Sequence, residues 1–500
     1  MSGYPDTAIE RADHDAVVWP AGRRTYAELD ARASQLAHVL QGLGVHAGQR
    51  IAMMLPNSVE LIETLAASAK LEVSVLMLNW HLRSDEVAWI LDDSGAVALV
   101  ADVQLRDEVA GIVRDRALPV LWAGDGYDEE LDAAPAVALP SVWPTSWPVI
   151  YTSGTSGRPK GVVHGASADP AVMRIVHDGL AALWGYTADD VHLAAGPLYH
   201  AGPYGYANLT LYTGGTVVLM DGWDARSFLA AVDAHRVTTT FLTPAHFIRI
   251  LEVPESERRA YDLSSLRHII HGGAPCPRPV KQQIITALPH AEVWELYGAS
   301  EGGATRVSST EWSTRPGTVG QPWPGVEIRI LDRDSGARLG PGEDGLVYVR
   351  PAQGGFEYHN DPVKTADAWR DGAFTVGDIG HLDEAGWLYL TDRASDLIIR
   401  AGVNVYPRKV EEVLHQHPVV VDCAVFGVPH DRDGEQPFAV VEAREPVEVD
   451  DLDRWCRDRL EAYACPTGYE LVDTLPRDPN GKVLKRLLRD AAWTGTGRQI

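Results

Sequence analysis

Alternating strand-like and helical segments restrict the fold of this 500-residue chain more than any other feature. Thr25–Leu43 carries apolar residues at helical spacing, the strand-like Arg50–Leu55 follows, and a second amphipathic helix is predicted near Val59–Ala69. The same order of strand, helix and strand recurs between Val73 and Val100. This alternation is typical of βαβ units, in which helices cover both faces of a parallel sheet. We therefore predict an α/β fold.

The pattern changes twice further along the chain. It continues beyond the helix predicted at Pro170–Trp184, but from Gly317 onward the strands alternate apolar and polar residues between Gly/Pro turns. This alternating pattern predicts a small antiparallel barrel or sheet. Near Arg393 it changes again, and the remaining hundred or so residues have the pattern of a compact α+β unit. A chain of this length is also expected to form two or more domains.

Composition excludes some classes of function. A net charge of −25 argues against nucleic acid as a partner, because phosphate backbones require a basic face. No apolar run approaches 18 residues and no signal peptide is recognisable, so we expect a cytoplasmic protein without a membrane span. The cysteines have no metal-site spacing and are expected to be reduced thiols: Cys276, Cys423, Cys456 and Cys465.

The segment Tyr151–Gly161 is the most informative motif. It holds five hydroxyl groups and three glycines, together with Arg158 and Lys160. Glycines let backbone N–H groups converge on anionic oxygens, so a strand entering such a loop indicates a polyphosphate site. A flexible linker has a similar composition, but it seldom lies between two strand-like segments. The loop is not a Walker A motif, because Gly161 follows the lysine where Ser or Thr would bind magnesium.

Four further motifs follow strand-like or turn segments in a fixed order: His271–Pro275, Glu295–Glu301, Thr375–Gly380 and Leu475–Lys482. Together with the loop, they resemble the adenylate-forming superfamily, which contains acyl- and aryl-CoA ligases, the adenylation domains of peptide synthetases, and luciferases. The resemblance extends from Thr25–Leu29 to Gly481-Lys482. Two departures are mild: Ser300 stands where Thr is usual, and Val376 is inserted in the third motif.

The resemblance implies a site for ATP. It assigns the phosphates to the loop residues Thr152, Ser153, Gly154, Thr155, Ser156, Gly157 and Lys160. It assigns the adenine and α-phosphate to Gly272, Gly273, Ala274, Tyr297, Gly298 and Ser300. Taken alone, Gly-Gly-Ala-Pro is a weak signal that also fits a plain turn.

Two carboxylates receive roles from the same resemblance. Asp378, supported by Arg393, is expected to bind both ribose hydroxyls, for which a carboxylate is a strong acceptor. Glu301 is expected to hold Mg²⁺, a hard cation that prefers oxygen ligands. The alternatives are that Asp378 is an ordinary turn residue and that Glu301 is an exposed residue of a polar turn.

Three residues are implied in the reaction itself. The Lys482 ammonium would offset the repulsion between a carboxylate and the α-phosphate, whereas the alternative is a solvated lysine. His200 would guide the substrate carboxylate or close a thiol channel, unless it is a structural histidine. Gly402 would let the pantetheine arm of CoA pass close to the backbone, although Ala401 replaces a glycine common in ligases and a hairpin glycine is an alternative reading.

The resemblance also implies how the domains are arranged. Residues 1–392 would form an N-terminal domain of two α/β subdomains with parallel-rich sheets and a small distorted β-barrel. Residues 397–500 would form a small mobile α+β domain. Residues 393–396 would be the hinge between them. Asp or Lys is the usual pivot, and this chain offers Ser395 beside Asp396.

These observations predict an ATP-, Mg²⁺- and CoA-dependent carboxylic acid ligase, monomeric or homodimeric, acting on small molecules. Aromatic residues near the expected acid pocket favour an aryl or a short- to medium-chain acid: Tyr199, Tyr204, Tyr206, His246, Phe247 and His271. The ATP motifs equally allow another acceptor, namely a carrier-protein thiol, an amine or a different nitrogen nucleophile. A nucleotide-binding protein without catalysis is a third hypothesis, against which the intact motif residues argue.

Overall fold

A computed structural model describes residues 4–124, 126–140, 147–152, 159–165, 170–479 and 481–493. Up to residue 165, strands and helices alternate as the sequence predicts. The elements are α1 Tyr4–Glu10, β1 Asp15–Trp19, β2 Gly22–Thr25, α2 Tyr26–Gly42, β3 Arg50–Met54, α3 Val59–Leu71, β4 Ser74–Met77, α4 Ser84–Ser94, β5 Ala98–Asp102, α5 Arg106–Asp115, β6 Val120–Ala123, α6 Tyr127–Ala133, β7 Val149–Thr152 and β8 Lys160–His164.

The first sheet contains five parallel strands in the order β7-β4-β3-β5-β6, and β8 adds antiparallel to β7. Its strands are buried on both faces. Ile51 and Met53 pack in the core that includes α2 and α3, while Ala52 and Met54 pack in the core that includes α4 and α5. Both faces are therefore covered by helices, which confirms the predicted arrangement.

Helix α2 illustrates how local sequence sets an element. The Thr25 hydroxyl accepts a hydrogen bond from the Glu28 amide, and the Glu28 carboxylate accepts one from the Thr25 amide. This capping box satisfies two backbone donors that the first turn leaves free. The helix then buries Leu29, Leu36 and Leu40 completely, each contributing about 2 kcal/mol of hydrophobic stabilisation.

Residues 170–307 continue the alternation, and a short helix follows at Ser309–Thr314. The elements are α7 Pro170–Trp184, β9 Val191–Ala194, α8 Ala201–Thr213, β10 Thr216–Leu219, α9 Ala225–His235, β11 Thr239–Leu242, α10 Pro244–Glu252, α11 Glu255–Arg258, β12 His268–His271, α12 Arg278–Ala287, β13 Glu292–Ala299, β14 Gly302–Val307 and α13 Ser309–Thr314.

These strands form the parallel half of a second, larger sheet in the order β1-β10-β9-β11-β12-β13. One face packs on α9, α10 and α12. The other face carries aromatic residues that meet α7 and α8, including Phe241 and Trp294 from strands and Trp184 and Tyr206 from helices. The aromatic face is therefore a distinct core within this sheet.

From residue 318 the strands become antiparallel, as predicted. The elements are β15 Thr318–Pro322, β16 Glu327–Leu331, β17 Gly345–Arg350, β18 Phe356–Tyr358, α14 Pro362–Ala368, β19 Trp369–Arg370, β20 Ala373–Phe374, β21 Asp378–Leu382 and β22 Leu388–Arg393. All of these strands except β18 extend the second sheet beyond β14. Strand β18 instead pairs with β8 of the first sheet. The antiparallel sheet is confirmed, and its closure into a small barrel stays a prediction.

A third sheet begins after residue 393. The elements are β23 Ile398–Arg400, β24 Val403–Val405, α15 Pro407–Leu414, β25 Val420–His430, β26 Gly434–Ala443, α16 Val449–Arg457, β27 Gly468–Val472 and α17 Lys485–Trp493. The five strands pair only with one another among the described residues, and α15 and α16 cover a core of their own. The predicted α+β character is confirmed, whereas the hinge at residues 393–396 stays a prediction.

The four cysteines are free and buried, each with less than a tenth of its surface accessible. Burial raises the pKa of every one of these thiols, to about 11 for Cys456. In the part of the chain that the structure describes, no helix combines the length and apolar character that crossing a bilayer requires.

Candidate active site

The predicted site residues gather at the carboxyl ends of β11, β12 and β13. These neighbouring parallel strands lie in register, with Leu242 opposite His271 and His271 opposite Glu295. The loop that follows β12 carries Gly272, Gly273 and Ala274. Ligand crevices of α/β sheets open at this edge, so the position agrees with the expected adenine loop.

Glu301 lies on the tight turn between β13 and β14. Its side chain is 6% exposed, and its Oε1 accepts a hydrogen bond from Lys160 Nζ at 3.2 Å. The same oxygen accepts a second hydrogen bond from Tyr358 Oη at 2.7 Å. The turn requires glycine at position 298, because a Cβ atom there would lie 2.8 Å from the carbonyl oxygen of Gly302. Glu301, on a turn of the second sheet, is therefore held by two residues of the first sheet, Lys160 on β8 and Tyr358 on β18.

Asp378 is held from two sides within the second sheet, where Asp378 on β21 pairs with Arg393 on β22. Tyr297 Oη donates to Asp378 Oδ2 at 2.8 Å, and Arg393 Nε donates to Oδ1 at 3.1 Å. Burial and the Asp378 carboxylate raise the pKa of Tyr297 well above its ordinary value. Burial disfavours the charge on Arg393, but the field of Asp378 outweighs it and raises the pKa of the guanidinium. The carboxylate is thus fixed in orientation.

Lys482 projects into the same cleft from the loop before α17. That loop is closed by hydrogen bonds from the Gly481 and Lys482 amides to Asp478, and Gly481 lies against α10, where a Cβ atom would be 2.6 Å from that of Ala245. The surrounding protein lowers the pKa of Lys482, and Arg393 lowers it further, whereas Asp478, Asp396 and Asp378 oppose the change. The ammonium group therefore shares one electrostatic environment with the Asp378 pair.

His200 precedes α8 and faces this loop. Burial lowers the pKa of its ring, and the charges of Asp478 and Lys482 act on it in opposite directions. Among the described residues its Nε2 has no hydrogen-bond partner, although the atom is buried. A buried polar atom without a partner is costly, which favours a ligand contact at this atom, and the role of His200 stays a prediction.

A buried ion pair lies behind the adenine loop. Lys281 Nζ donates to Glu295 Oε2 at 2.5 Å, and neither side chain is more than a tenth exposed. Burial opposes ionisation of Glu295, but the field of Lys281 outweighs it and holds the pKa of the carboxyl below its ordinary value. His271, adjacent to Gly272, lies 3.9 Å from this carboxylate, and burial lowers the pKa of its ring to about 3. The pair gives the loop a rigid, charged support.

The structure brings most predicted residues together and leaves one apart. Around the cleft lie Lys160, His200, Gly272, Gly273, Ala274, Tyr297, Gly298, Ser300, Glu301, Asp378, Arg393 and Lys482. Thr152 ends β7, whereas the predicted phosphate residues Ser153, Gly154, Thr155, Ser156 and Gly157 lie outside the described residues. Gly402 occupies the exposed tip of the β23–β24 hairpin and stays a prediction as a tunnel residue.

Sequence reasoning missed Tyr358, which contacts both Lys160 and Glu301. Lys160 Nζ donates to Tyr358 Oη at 2.7 Å and also lies 4.0 Å from the centre of its ring. The two residues are 198 positions apart, and only the pairing of β18 with β8 makes them neighbours. The only local indication in the sequence is that Tyr358 ends a short strand-like segment.

The assembled cleft combines cations with a small number of carboxylates. Lys160, Arg393 and Lys482 provide positive charge. Glu301 pairs with Lys160, Asp378 pairs with Arg393, and Asp478, Asp396 and Asp378 act on Lys482. No cluster of three or more His, Cys, Asp or Glu residues suited to a metal occurs within the described ranges. A lone buried carboxylate fits Mg²⁺, which retains waters and takes further oxygen ligands from bound phosphates.

Comparison with known proteins gives a consistent result. The family model of AMP-binding enzymes matches residues 5–358, and the model of their C-terminal domain matches residues 409–482. A feruloyl-CoA synthase from Amycolatopsis is 34% identical, with 98% of each chain covered. A fatty acid–[acyl-carrier-protein] ligase from Streptomyces coeruleorubidus is 32% identical, with 97% of this chain and 95% of the relative covered.

Two solved structures are similar along nearly the whole chain. The o-succinylbenzoate CoA synthetase from Bacillus subtilis, in complex with its acyl-adenylate intermediate, has a TM-score of 0.85 and 28% identity, covering 98% of both chains. An amide bond synthetase from Marinactinospora thermotolerans has a TM-score of 0.86 and 30% identity, covering 98% of this chain and 99% of the other. The overall α/β architecture is therefore the one that these enzymes share.

Proposed function

Because the chain belongs to the AMP-binding enzyme family, whose model matches residues 5–358, we propose that it is an ATP-dependent carboxylic acid–CoA ligase. The observation that carries the proposal is the cleft in which Lys160 pairs with Glu301, Arg393 pairs with Asp378, and Lys482 lies in the field of the second pair. A concentration of cations in a chain of net charge −25 suits a polyphosphate substrate. The similarity to a feruloyl-CoA synthase over 98% of both chains supports the same assignment.

In the first half-reaction, a carboxylate oxygen of the acid attacks the α-phosphorus of ATP. The P–O bond to the β-phosphate breaks, and acyl-AMP and pyrophosphate form. Both reactants are anions, so the Lys482 ammonium stabilises their approach and the charge that develops on the phosphorus. His200, neutral because burial lowers its pKa, offers its unpartnered Nε2 to the acid.

The nucleotide would be oriented by groups already fixed in place. Asp378, held by Tyr297 and Arg393, keeps lone pairs for the ribose hydroxyls. Glu301 would hold Mg²⁺, which neutralises phosphate charge when it is bound. Because these groups are positioned before the substrates arrive, little reorganisation accompanies the reaction.

In the second half-reaction, the thiolate sulfur of CoA attacks the acyl carbon, and AMP leaves with the bonding electrons. The β23–β24 hairpin is exposed, so the proposed role of Gly402 requires residues 397–500 to rotate about residues 393–396. Such a rotation would remove Lys482 from the cleft as the hairpin enters it. One active site would then serve both steps in turn.

The aromatic face of the second sheet supports an aryl or short acid as substrate. Trp184, Trp294 and Trp323 meet edge to face, and Tyr206 stacks on Phe241 at 5.5 Å between ring centres. Gly202, two residues after His200, lies against Phe241, where a Cβ atom would be 2.6 Å from the ring. Rigid rings beside His200 favour a flat, compact acid over a long flexible chain.

A second candidate function changes only the acceptor. The chain is 32% identical to a ligase that uses an acyl carrier protein and 30% identical to an amide bond synthetase. Ala401 replaces a glycine that is common beside Gly402 in CoA ligases. An adenylating ligase that transfers its acyl group to a carrier-protein thiol, an amine or another nitrogen nucleophile is therefore the alternative.

A panel of aryl, cinnamic and C4–C16 acids in a pyrophosphate-release assay would test the proposal. We expect release with one class of compact acids, stimulation by CoA, and a CoA thioester as product. Release that ignores CoA and responds to an amine or a carrier protein would favour the second candidate. Absence of acid-dependent exchange between pyrophosphate and ATP across the panel would contradict both.

A further inference from the structure

Tyr358 connects the two charged groups of the phosphate end of the cleft. Its hydroxyl accepts a hydrogen bond from Lys160 Nζ at 2.7 Å and donates one to Glu301 Oε1 at 2.7 Å. Lys160 also contacts Glu301 directly at 3.2 Å. The three groups form a closed triangle, so each one limits where the other two can lie.

The backbone fixes Tyr358 in this place. Strand β18 pairs with β8, setting Tyr358 opposite Val162, and the His359 amide donates to the Gly161 carbonyl at 2.8 Å. The Tyr358 amide donates to the Thr365 hydroxyl at 2.9 Å. Only 4% of the tyrosine surface is accessible, so the ring cannot swing away from the carboxylate without unpacking its surroundings.

The triangle also balances charge before any nucleotide arrives. Glu301 is almost fully buried, and a buried carboxylate without a partner is strongly destabilising. Lys160 keeps 22% of its side chain exposed, so its ammonium group remains reachable from the cleft. A metal ion that takes over Glu301 would release Lys160 for a phosphate oxygen.

We propose that Tyr358 is a positioning residue for the metal and phosphate end of the site, and that it holds Glu301 for Mg²⁺ while Lys160 passes from Glu301 to the bound phosphates. This inference rests on the proposed function, because it assumes Mg·ATP as the ligand. Tyr358 contacts neither the acid nor the reacting phosphorus in this scheme. It acts through Glu301 and Lys160.

The test is a comparison of wild type with Tyr358→Phe, which removes one hydroxyl from a buried ring. ATP binding is measured by calorimetry without acid, in EDTA and at increasing Mg²⁺, so that no turnover occurs. We expect a rise of about tenfold in the Mg²⁺ concentration at which ATP binding is half-maximally strengthened. This is the effect expected when a hydrogen bond to a charged group is lost. The KM for the acid and the rate at saturating Mg²⁺ should change less than about twofold.

Tyr348→Phe is the matched control, because Tyr348 is a buried tyrosine of the neighbouring antiparallel sheet, 7% exposed. It should leave the Mg²⁺ dependence unaltered. An unchanged Mg²⁺ dependence in Tyr358→Phe would overturn the proposal, as would an equal effect in the control.

A double-mutant cycle separates positioning from a general loss of stability. In a Glu301→Gln background, Tyr358→Phe should have no further effect on the Mg²⁺ dependence of ATP binding, because the hydroxyl acts through the carboxylate. Additive effects would contradict the proposal. If Tyr358→Phe folds poorly, melting temperatures of wild type and variant measured with and without Mg·ATP provide the same comparison. The proposed function fails separately, through absence of acid-dependent pyrophosphate exchange in the wild type.

Discussion

Lys482 is the residue whose role separates the two half-reactions. Replacing it by alanine removes the cation that would bridge the acid and the α-phosphate, so acyl-AMP formation should fall on the order of 10²–10³-fold. Transfer from preformed acyl-AMP should fall less than about fivefold, because the ammonium has no role in that step. Pyrophosphate exchange and thioester formation from synthetic acyl-AMP measure the two rates.

Lys409→Ala is a suitable control, because Lys409 pairs with Glu461 on the surface of the same C-terminal unit. It should leave both rates near wild type. Equal losses of the two half-reactions in Lys482→Ala would refute the assignment.

The lowered pKa of Lys482 gives a second prediction. A lysine is catalytically useful here only when charged, and burial and Arg393 bring its pKa below 10.5. Adenylation should therefore be constant on the acidic side and should decline as pH rises through this lowered pKa. Lys482→Arg, which stays charged, should move or remove the alkaline decline in pyrophosphate release. An unaltered decline would assign it to another group.

Sequence motifs predict site residues that lie next to their own motif glycines. Glu301, Asp378 and Lys482 were predicted in this way, and the ligand chemistry given to each stays a prediction. Tyr358 and the buried pair Lys281–Glu295 were not found, because their partners come from other parts of the chain. A lone tyrosine or lysine carries no sign of the strand that will lie beside it.

At the scale of elements, the turn of the β23–β24 hairpin has a non-glycine residue, Ala401, with a positive φ. Ala401 and Gly402 have φ values of 48° and 82°, as in a type I′ turn, where only glycine is free of strain. Gly402→Leu should spare adenylation and block transfer to CoA, because a bulky side chain would fill the proposed thiol tunnel. Acyl-AMP and CoA ester yields are measured side by side.

The variant Gly402→Ala separates the effect of side-chain volume from that of backbone strain in the turn. It carries the same backbone cost of about 1 kcal/mol but adds only a methyl group. We expect it to retain most of the CoA ester yield. Wild-type yield in Gly402→Leu would contradict a tunnel at this hairpin, and equal loss in both variants would attribute the effect to the turn.

The regular elements were predicted from periodicity with few errors. Helix α7 has the bounds that were expected, Pro170–Trp184, and α2 begins one residue after its capping threonine. The crossing of β18 to the first sheet was not foreseen. A three-residue strand has too little pattern to indicate its partner, and its pairing is decided by the packing of whole sheets.

At the scale of the whole molecule, charged contacts hold the C-terminal unit over the cleft. Arg249 on α10 pairs with Glu442 on β26 at 3.3 Å, and Arg278 on α12 pairs with Glu412 on α15 at 3.2 Å. Arg249→Ala should destabilise this placement of the C-terminal unit by about 1 kcal/mol. The rate of adenylation should therefore fall roughly fivefold, whereas the rate of transfer from acyl-AMP should not fall. Rapid-quench measurement of each step provides the comparison.

The fold itself should tolerate that change. Glu442 keeps its contacts with Arg477 and with the Leu475 amide, at 3.2 and 3.1 Å. Arg226→Ala, which breaks an exposed pair with Glu257, is the matched control and should not alter either step. A parallel loss of adenylation and transfer in Arg249→Ala would show that the contact does not favour one arrangement of the two units.

The burial of the four cysteine thiols has a practical consequence for site-specific labelling. Maleimide dyes react with accessible thiolates, and here each of the four cysteine thiols is buried and has a raised pKa. A single cysteine introduced at Val403, which is 45% exposed on the hairpin, would thus be labelled against a silent background. Fluorescence from that one position would test in real time whether residues 397–500 rotate during catalysis, as proposed.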